Sequence, residues 1–290
     1  MNQTIKQFQI MKRLKHSIGI SGGAFLLGAV ALGQEVPADR VSVPLRDSSR
    51  PALVKANLMT GGITVKGYDG KEVVVEARLR KHDADGDEGP DKKAEGLKRI
   101  DILTTGLTVE EEDNVVSVSA GPTHRAVELV IQVPFKTSLK LGCMNDGDVM
   151  VEKVEGEIEA SDLNGGVTLT NVSGVVVAHS LNGEVNVNLE QVTPDKPMSF
   201  STLNGDIDVT FPSDTKATVK METQNGSIYS DFEIQMNTSP REPRVEDGRK
   251  SGGKFRVVIE KARFGSINGG GPEFRFKTVN GNIHIRKGKQ

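Results

Sequence analysis

Five glycines, Gly147, Gly156, Gly165, Gly174 and Gly183, stand nine residues apart. Two positions beyond each lies Val149, Ile158, Val167, Val176 or Val185. Four positions beyond lies Val151, Ala160, Leu169, Ala178 or Val187. The residues between these apolar pairs are Met150, Glu159, Thr168, Val177 and Asn186, mostly polar. Alternation with period two, restarted at each glycine, belongs to strands with one face inward and one outward. It excludes a helix over this segment.

A nine-residue spacing suits a meander of hairpins as well as a coil of stacked strands. The turn residues separate the two. Leu163-Asn164-Gly165 returns as Leu181-Asn182-Gly183, while Glu155-Gly156 and Ser173-Gly174 lie between. Two unlike corners in strict alternation predict an eighteen-residue coil with two strands, each coil pairing with the ones above and below. Asn at one corner is then expected to stack as a ladder. Gly is expected to supply the positive φ of the corner. The pattern recurs more loosely at Met59-Thr60-Gly61, Leu203-Asn204-Gly205, Gln224-Asn225-Gly226 and Val279-Asn280-Gly281. Strands are expected over Ala52–Leu58, Ile63–Val65, Val73–Leu79, Ile100–Leu103, Leu107–Glu111, Val115–Ser119 and Val127–Val133. Lys81–Arg99, with a short helix over Asp91–Leu97, and Asn237–Lys254 read as polar loop insertions.

The N-terminus has the chemistry of a signal peptide. Lys12, Arg13 and Lys15 form a basic region, Ile18–Leu32 an apolar one, and Ala31-Leu32-Gly33 a small-residue cleavage site. Cleavage is expected after Gly33, with Met1–Ile10 an extension ahead of a start at Met11. The apolar run is short for a membrane span, and no Cys follows it to carry a lipid. The expected organisation is a signal peptide over 1–33, a linker over 34–50, an N-terminal β region over 51–135 and the repeat region over 136–290. Removing 1–33 takes away four of the 37 basic residues and none of the 39 acids, leaving a net charge of about −6. That balance argues against a general nucleic-acid surface. Cys143 is the single cysteine, so no internal disulfide framework exists. Its place after Leu139 and Leu141 in an alternating run predicts a buried, inert thiol.

The stretches VELVIQVP, LKLGCMNDGDVMVEKVEGEIEASDLNGGVTLTNVSG and GSINGGGPEFRFKTVNGNIHIRK closely resemble bacterial exported β-strand-repeat proteins. These form a domain-of-unknown-function family labelled "putative adhesin". The resemblance covers about Ala52 to Lys287. It implies an all-β, right-handed β-solenoid, and no established activity, catalytic residue or cofactor. The adhesin label itself rests on repeat architecture.

Asp83, Asp85 and Asp87 suggest a calcium loop, but its sixth and twelfth positions hold Glu88 and Ala94 rather than Gly and an acid. Asp146 with Asp148, and Asp206 with Asp208, are paired carboxylates of the kind glycan-cleaving enzymes use. Asp beside Gly is equally ordinary corner chemistry, and the chain has no Trp to serve as a sugar platform. His16, His82, His124, His179 and His284 show no metal-ligand spacing. Ser266–Pro272 is glycine-rich but leads into strand residues, which predicts a tight crossing between coils rather than a phosphate cradle. No Gly-x-Ser-x-Gly occurs. The expectation is therefore an exported, non-catalytic binding or scaffold module of the cell envelope, with no catalytic, cofactor-binding or metal residues. It has no cofactor and no stable span in the mature chain, and its partner is an envelope protein or a surface glycan. An accessory or sensor role in envelope stress signalling is the alternative, and a β-helix polysaccharide lyase or hydrolase the distant one.

Overall fold

A computed structural model describes residues 38–80, 104–121, 125–237, 244–247, 249, 254–258 and 262–288. The signal peptide, Ile100–Leu103, Asp91–Leu97 and Asp83, Asp85 and Asp87 lie outside the described residues, as do His16, His82 and His124. Among the described residues the chain is all-β, and the expected alternation appears directly in burial. Strand β7 (Thr137–Asn145) and strand β8 (Val149–Glu152) alternate between buried and open positions. So do β9 (Glu155–Asp162) over its second half and both arms of β10 (Val167–Ser180).

These strands form two parallel stacks joined at corners. In one stack β9 pairs in register with β7 and with the second arm of β10, so that Cys143, Asp162 and Ser180 share a row. In the other stack the first arm of β10 lies between β8 and β11 (Val185–Val192), with Val149, Val167 and Val185 in one row. The step from Val167 to Val185 is the eighteen-residue repeat of the sequence. Each coil thus contributes one strand to each stack, and its inward residues close the core between them.

One corner is held by an asparagine ladder. Asn225 Nδ2 donates to Asn280 Oδ1 at 2.7 Å, Asn280 to Asn204 at 2.6 Å, and Asn204 to Asn182 at 2.8 Å. Asn182 donates to Asn164 at 2.9 Å and Asn164 to Asn145 at 2.8 Å. The glycine that follows is required for a different reason than expected. Gly165 and Gly183 do not have positive φ. A Cβ on Gly183 would lie 2.2 Å from the Gly165 oxygen, and one on Gly165 2.0 Å from the Gly147 oxygen. Backbones of successive coils meet there, and close approach rather than dihedral freedom selects glycine. The other corner combines both constraints at Gly174, whose φ is 119° and whose Cβ would meet the Gly156 oxygen at 2.1 Å.

Both ends depart from chain order. The first long strand, β2 (Ala52–Tyr68), bends through both stacks. It lies between β7 and β8 on one side and β5 (Val115–Ser119) and β6 (Val127–Pro134) on the other. The last strands, β20 (Glu273–Lys277) and β21 (Ile283–Lys287), insert between two earlier coils. Those are β12 (Met198–Ser201) with β13 (Ile207–Phe211), and β14 (Ala217–Glu222) with β15 (Ile228–Ser230). Strands β2, β20 and β21 are therefore hydrogen-bonded on both sides. Antiparallel strands finish the stacks. At one end these are β1 (Asp39–Pro44), β3 (Glu72–Leu79) and β4 (Thr108–Glu112). At the other they are β16 (Ile234–Met236) and β19 (Arg263–Ile267).

Two expected boundaries change. The stretch 34–50, read as a linker, contains β1, whose Val41 and Val43 sit opposite Val75 and Val73. The 51–135 region is continuous with the repeats, because β2 pairs with β7 and β8. The Asn237–Lys254 stretch also holds a strand, β17 (Arg244–Asp247), paired antiparallel with β18 (Phe255–Val258). The β-forming run Phe255-Arg256-Val257-Val258 needs a partner for its backbone, and β17 supplies it.

Core composition changes along the stack. Val, Ile, Leu and Ala fill the earlier coils, whereas Phe200, Phe211, Phe274 and Phe276 are fully buried in the later ones. Phe200 stacks on Phe276 at 5.2 Å and Phe211 on Phe274 at 5.3 Å. The inserted coil is thus locked by aromatic pairs from its neighbour in space.

Candidate functional site

The sequence candidates are taken up by structure. Asp148 Oδ1 accepts the Gly166 N–H at 2.7 Å, and Asp206 Oδ1 accepts the Asn282 N–H at 2.7 Å. These carboxylates brace the asparagine corner of the neighbouring coil. Asp208 forms a fork with Arg286, whose Nε lies 2.7 and 2.8 Å from its two oxygens. Asp146 is a positive-φ turn residue with φ of 59°. The paired carboxylates therefore do not converge on a common point.

His179 Nδ1 lies 3.0 Å from Ser201 Oγ, and His284 stacks on Tyr229 at 5.2 Å. Asn268, Gly269 and Gly270 all have positive φ and carry the chain from β19 into β20. Asn268 Nδ2 ties that turn to the Thr215 carbonyl at 2.8 Å. Ser266–Pro272 is thus the crossing that its glycines suggested. Cys143 is buried and unpaired, and burial raises its pKa to about 11, with the nearby Asp162 carboxylate adding to the shift. Such a thiol is a poor nucleophile. Among the described residues no group of three or more His, Cys, Asp or Glu could hold a metal ion.

A site that sequence reasoning missed lies at the later end of the stack. A groove of about 800 Å³ lies there. Met221, Ile228, Phe232, Ile234 and Met236 line it, together with the polar Thr223, Ser230 and Arg263. Ile228 and Ile234 occupy core-type positions but are only half-buried, and Met236 is 46% exposed.

The groove borders β15, which among the described residues pairs only with β21. The Ser227 carbonyl accepts the Ile283 N–H, and the Asp231 N–H donates to Ile285. Parallel strands direct their backbone groups alternately to the two sides, so the N–H and C=O groups of Ile228 and Ser230 face away from β21. An unpaired strand edge beside an apolar groove can accept one more extended strand: backbone bonds along the edge, apolar side chains into the groove. The sequence signal for it was the breakdown of the repeat after Gly226. Only Ile228 follows that glycine in the apolar rows, and Ser230 stands where the earlier coils place a second apolar residue.

Residues 136–262 match the family described as Toastrack DUF4097. Two solved structures are similar in part. One, described as a "putative cell adhesion protein" from Clostridium sporogenes, is 11% identical, with 87% of this chain and 100% of that chain covered and a TM-score of 0.41. Another, described as a "putative adhesin" from Bacteroides fragilis, is 12% identical, with 87% and 98% covered and a TM-score of 0.34. No curated protein matches the chain.

Proposed function

We propose, from the match of residues 136–262 to the family described as Toastrack DUF4097, that the chain is an exported, non-catalytic binding module of the cell envelope. In this reading it is a right-handed β-solenoid that takes an extended segment of an envelope protein onto its open end. The single observation that carries the reading is that, among the described residues, β15 is paired on one side only, beside the apolar groove. A peptide fits this site better than a glycan, because the groove offers aliphatic side chains and an edge of backbone donors and acceptors. Tyr229 is the exposed ring nearby, and it is already stacked on His284. Export is supported by the basic, apolar and small-residue order of the first 33 residues. The absence of catalysis is supported by carboxylates that serve corners and an ion pair.

The test is crosslinking in cells, with a photoreactive residue at Tyr229. An envelope protein should be captured by the wild type and lost in Ile228→Glu and Met236→Glu, with thermal midpoints of the variants unchanged. Capture that survives both substitutions would remove the groove from the reading. An unprocessed product in the cytoplasm would remove export.

A further inference from the structure

Inside the asparagine corner runs a second row, one residue per coil, two positions before the ladder Asn. Its members donate to the corner-glycine carbonyl of the adjacent coil. Ser180 Oγ donates to Gly165 at 2.8 Å and Thr202 Oγ1 to Gly183 at 2.8 Å. Thr278 Oγ1 donates to Gly205 at 3.0 Å and Thr223 Oγ1 to Gly281 at 2.9 Å. At the other end of the row the Cys143 thiol donates to the Gly61 carbonyl. Between Cys143 and Ser180, in register with both, stands Asp162.

Asp162 is 2% exposed. Its Oδ1 accepts the Asn164 and Gly165 N–H groups at 3.1 and 2.7 Å. Its Oδ2 is buried and has no hydrogen-bond partner. By the rule of the row, that oxygen belongs against the Gly147 carbonyl, which a Cβ on Gly165 would also meet. Two oxygens that both carry lone pairs repel, so the position demands a proton. We infer that Asp162, in its protonated form, donates from Oδ2–H to the Gly147 carbonyl, and that losing this proton loosens that one junction of the stack.

The electrostatics agree. Burial is the largest influence on Asp162 and raises its pKa to about 6. The Gly165 and Asn164 N–H groups oppose the shift, and the Asp148 carboxylate adds to it. The groups packed around it are the Cys143 thiol on β7, Ser180 on β10, and the corner carrying Asp146 and Asp148. Arg80 donates to the carbonyl of Asp146 in that corner. A raised folded-state pKa means that the native chain binds the proton more tightly than the unfolded one. The stabilisation is complete below the usual carboxylate value of 3.8 and is lost as pH rises through about 6. The junction is therefore firmest in acid.

Asp162→Asn tests this on the full chain. The amide keeps the Oδ1 acceptor and donates from Nδ2 at every pH. Its thermal midpoint relative to wild type should rise by roughly 5 °C between pH 4.5 and pH 7.5. Asp162→Ser, which restores the hydroxyl of the row, should shift in the same direction. Carbon-13 titration of the wild-type carboxyl should show a midpoint near 6 and decides the matter even if a variant fails to fold. A midpoint below about 4.5, or an Asn variant whose advantage does not grow with pH, would overturn the inference.

Discussion

Replacing Gly183 with Ala isolates the force that sets the coil spacing. The added Cβ would lie 2.2 Å from the Gly165 oxygen, 2.5 Å from its carbonyl carbon and 2.8 Å from the Gly166 nitrogen. All three atoms are backbone in a paired coil, so no flexible side chain can yield. Relief requires the coils to separate by about 1 Å at this corner. The bonds that span the gap start at 2.8 Å for Ser180 Oγ to Gly165, 2.9 Å for Asn182 to Asn164, and 2.9 Å for the Val167 N–H to Glu184. Each passes out of hydrogen-bonding range on such a shift. At about 1 kcal/mol net per bond, the expected cost is about 2–4 kcal/mol. Equilibrium urea unfolding followed by far-UV circular dichroism measures it, as a lower midpoint at unchanged slope. Gly269→Ala is the matched control: its φ of 88° brings left-handed strain, but nothing lies within 4 Å of the new Cβ. It should cost only about 1–2 kcal/mol. If Gly183→Ala falls within about 0.5 kcal/mol of wild type, or costs no more than the control, close approach is not what selects glycine here.

Further outcomes follow from the ladder and the core. Asn182→Ala removes a middle rung, with one bond given and one received; it should cost about 1–2 kcal/mol in the same urea assay. Asn225→Ala removes one end bond and should cost about half as much. Cys143, with its pKa near 11, holds only about one thiolate in a thousand at pH 8. An aromatic disulfide reagent should label the native protein at least about a hundredfold more slowly than the urea-unfolded chain; comparable rates would mean the thiol is open.

Much of the coil was legible because its signals are local. The alternation of Val149, Val151, Ile158 and Ala160 specifies strands, and Asn164 and Asn182 mark one corner and predict the ladder found there. The paired acids read correctly as corner chemistry at Asp148 and Asp206, because an Asx acceptor serves a turn a few residues or one coil away. The corner glycines were located correctly but for the wrong physical reason. A positive φ is a property of one residue, whereas the contact of Gly183 with Gly165 exists only once coils are stacked. The same limit hid the row of donors. Cys143, Asp162, Ser180 and Thr202 share no residue type, and only register makes them equivalent.

The sequence by itself determined the unit: an eighteen-residue coil, its two unlike corners, and which side of each strand faces the core. These depend on periodicity within a few residues of chain. Tertiary structure decided the order of the coils. Strand β2 sits inside the stack rather than at its start, and β20 with β21 enters between β12–β13 and β14–β15. Parallel strands with the same alternation can pair with any neighbour that offers the same spacing. The choice falls to long-range packing, such as Phe276 on Phe200 and Phe274 on Phe211. Among the described residues that choice leaves β15 paired on one side only, beside an apolar groove. The candidate binding site is thus a consequence of where the last coil inserts, which no local pattern encodes.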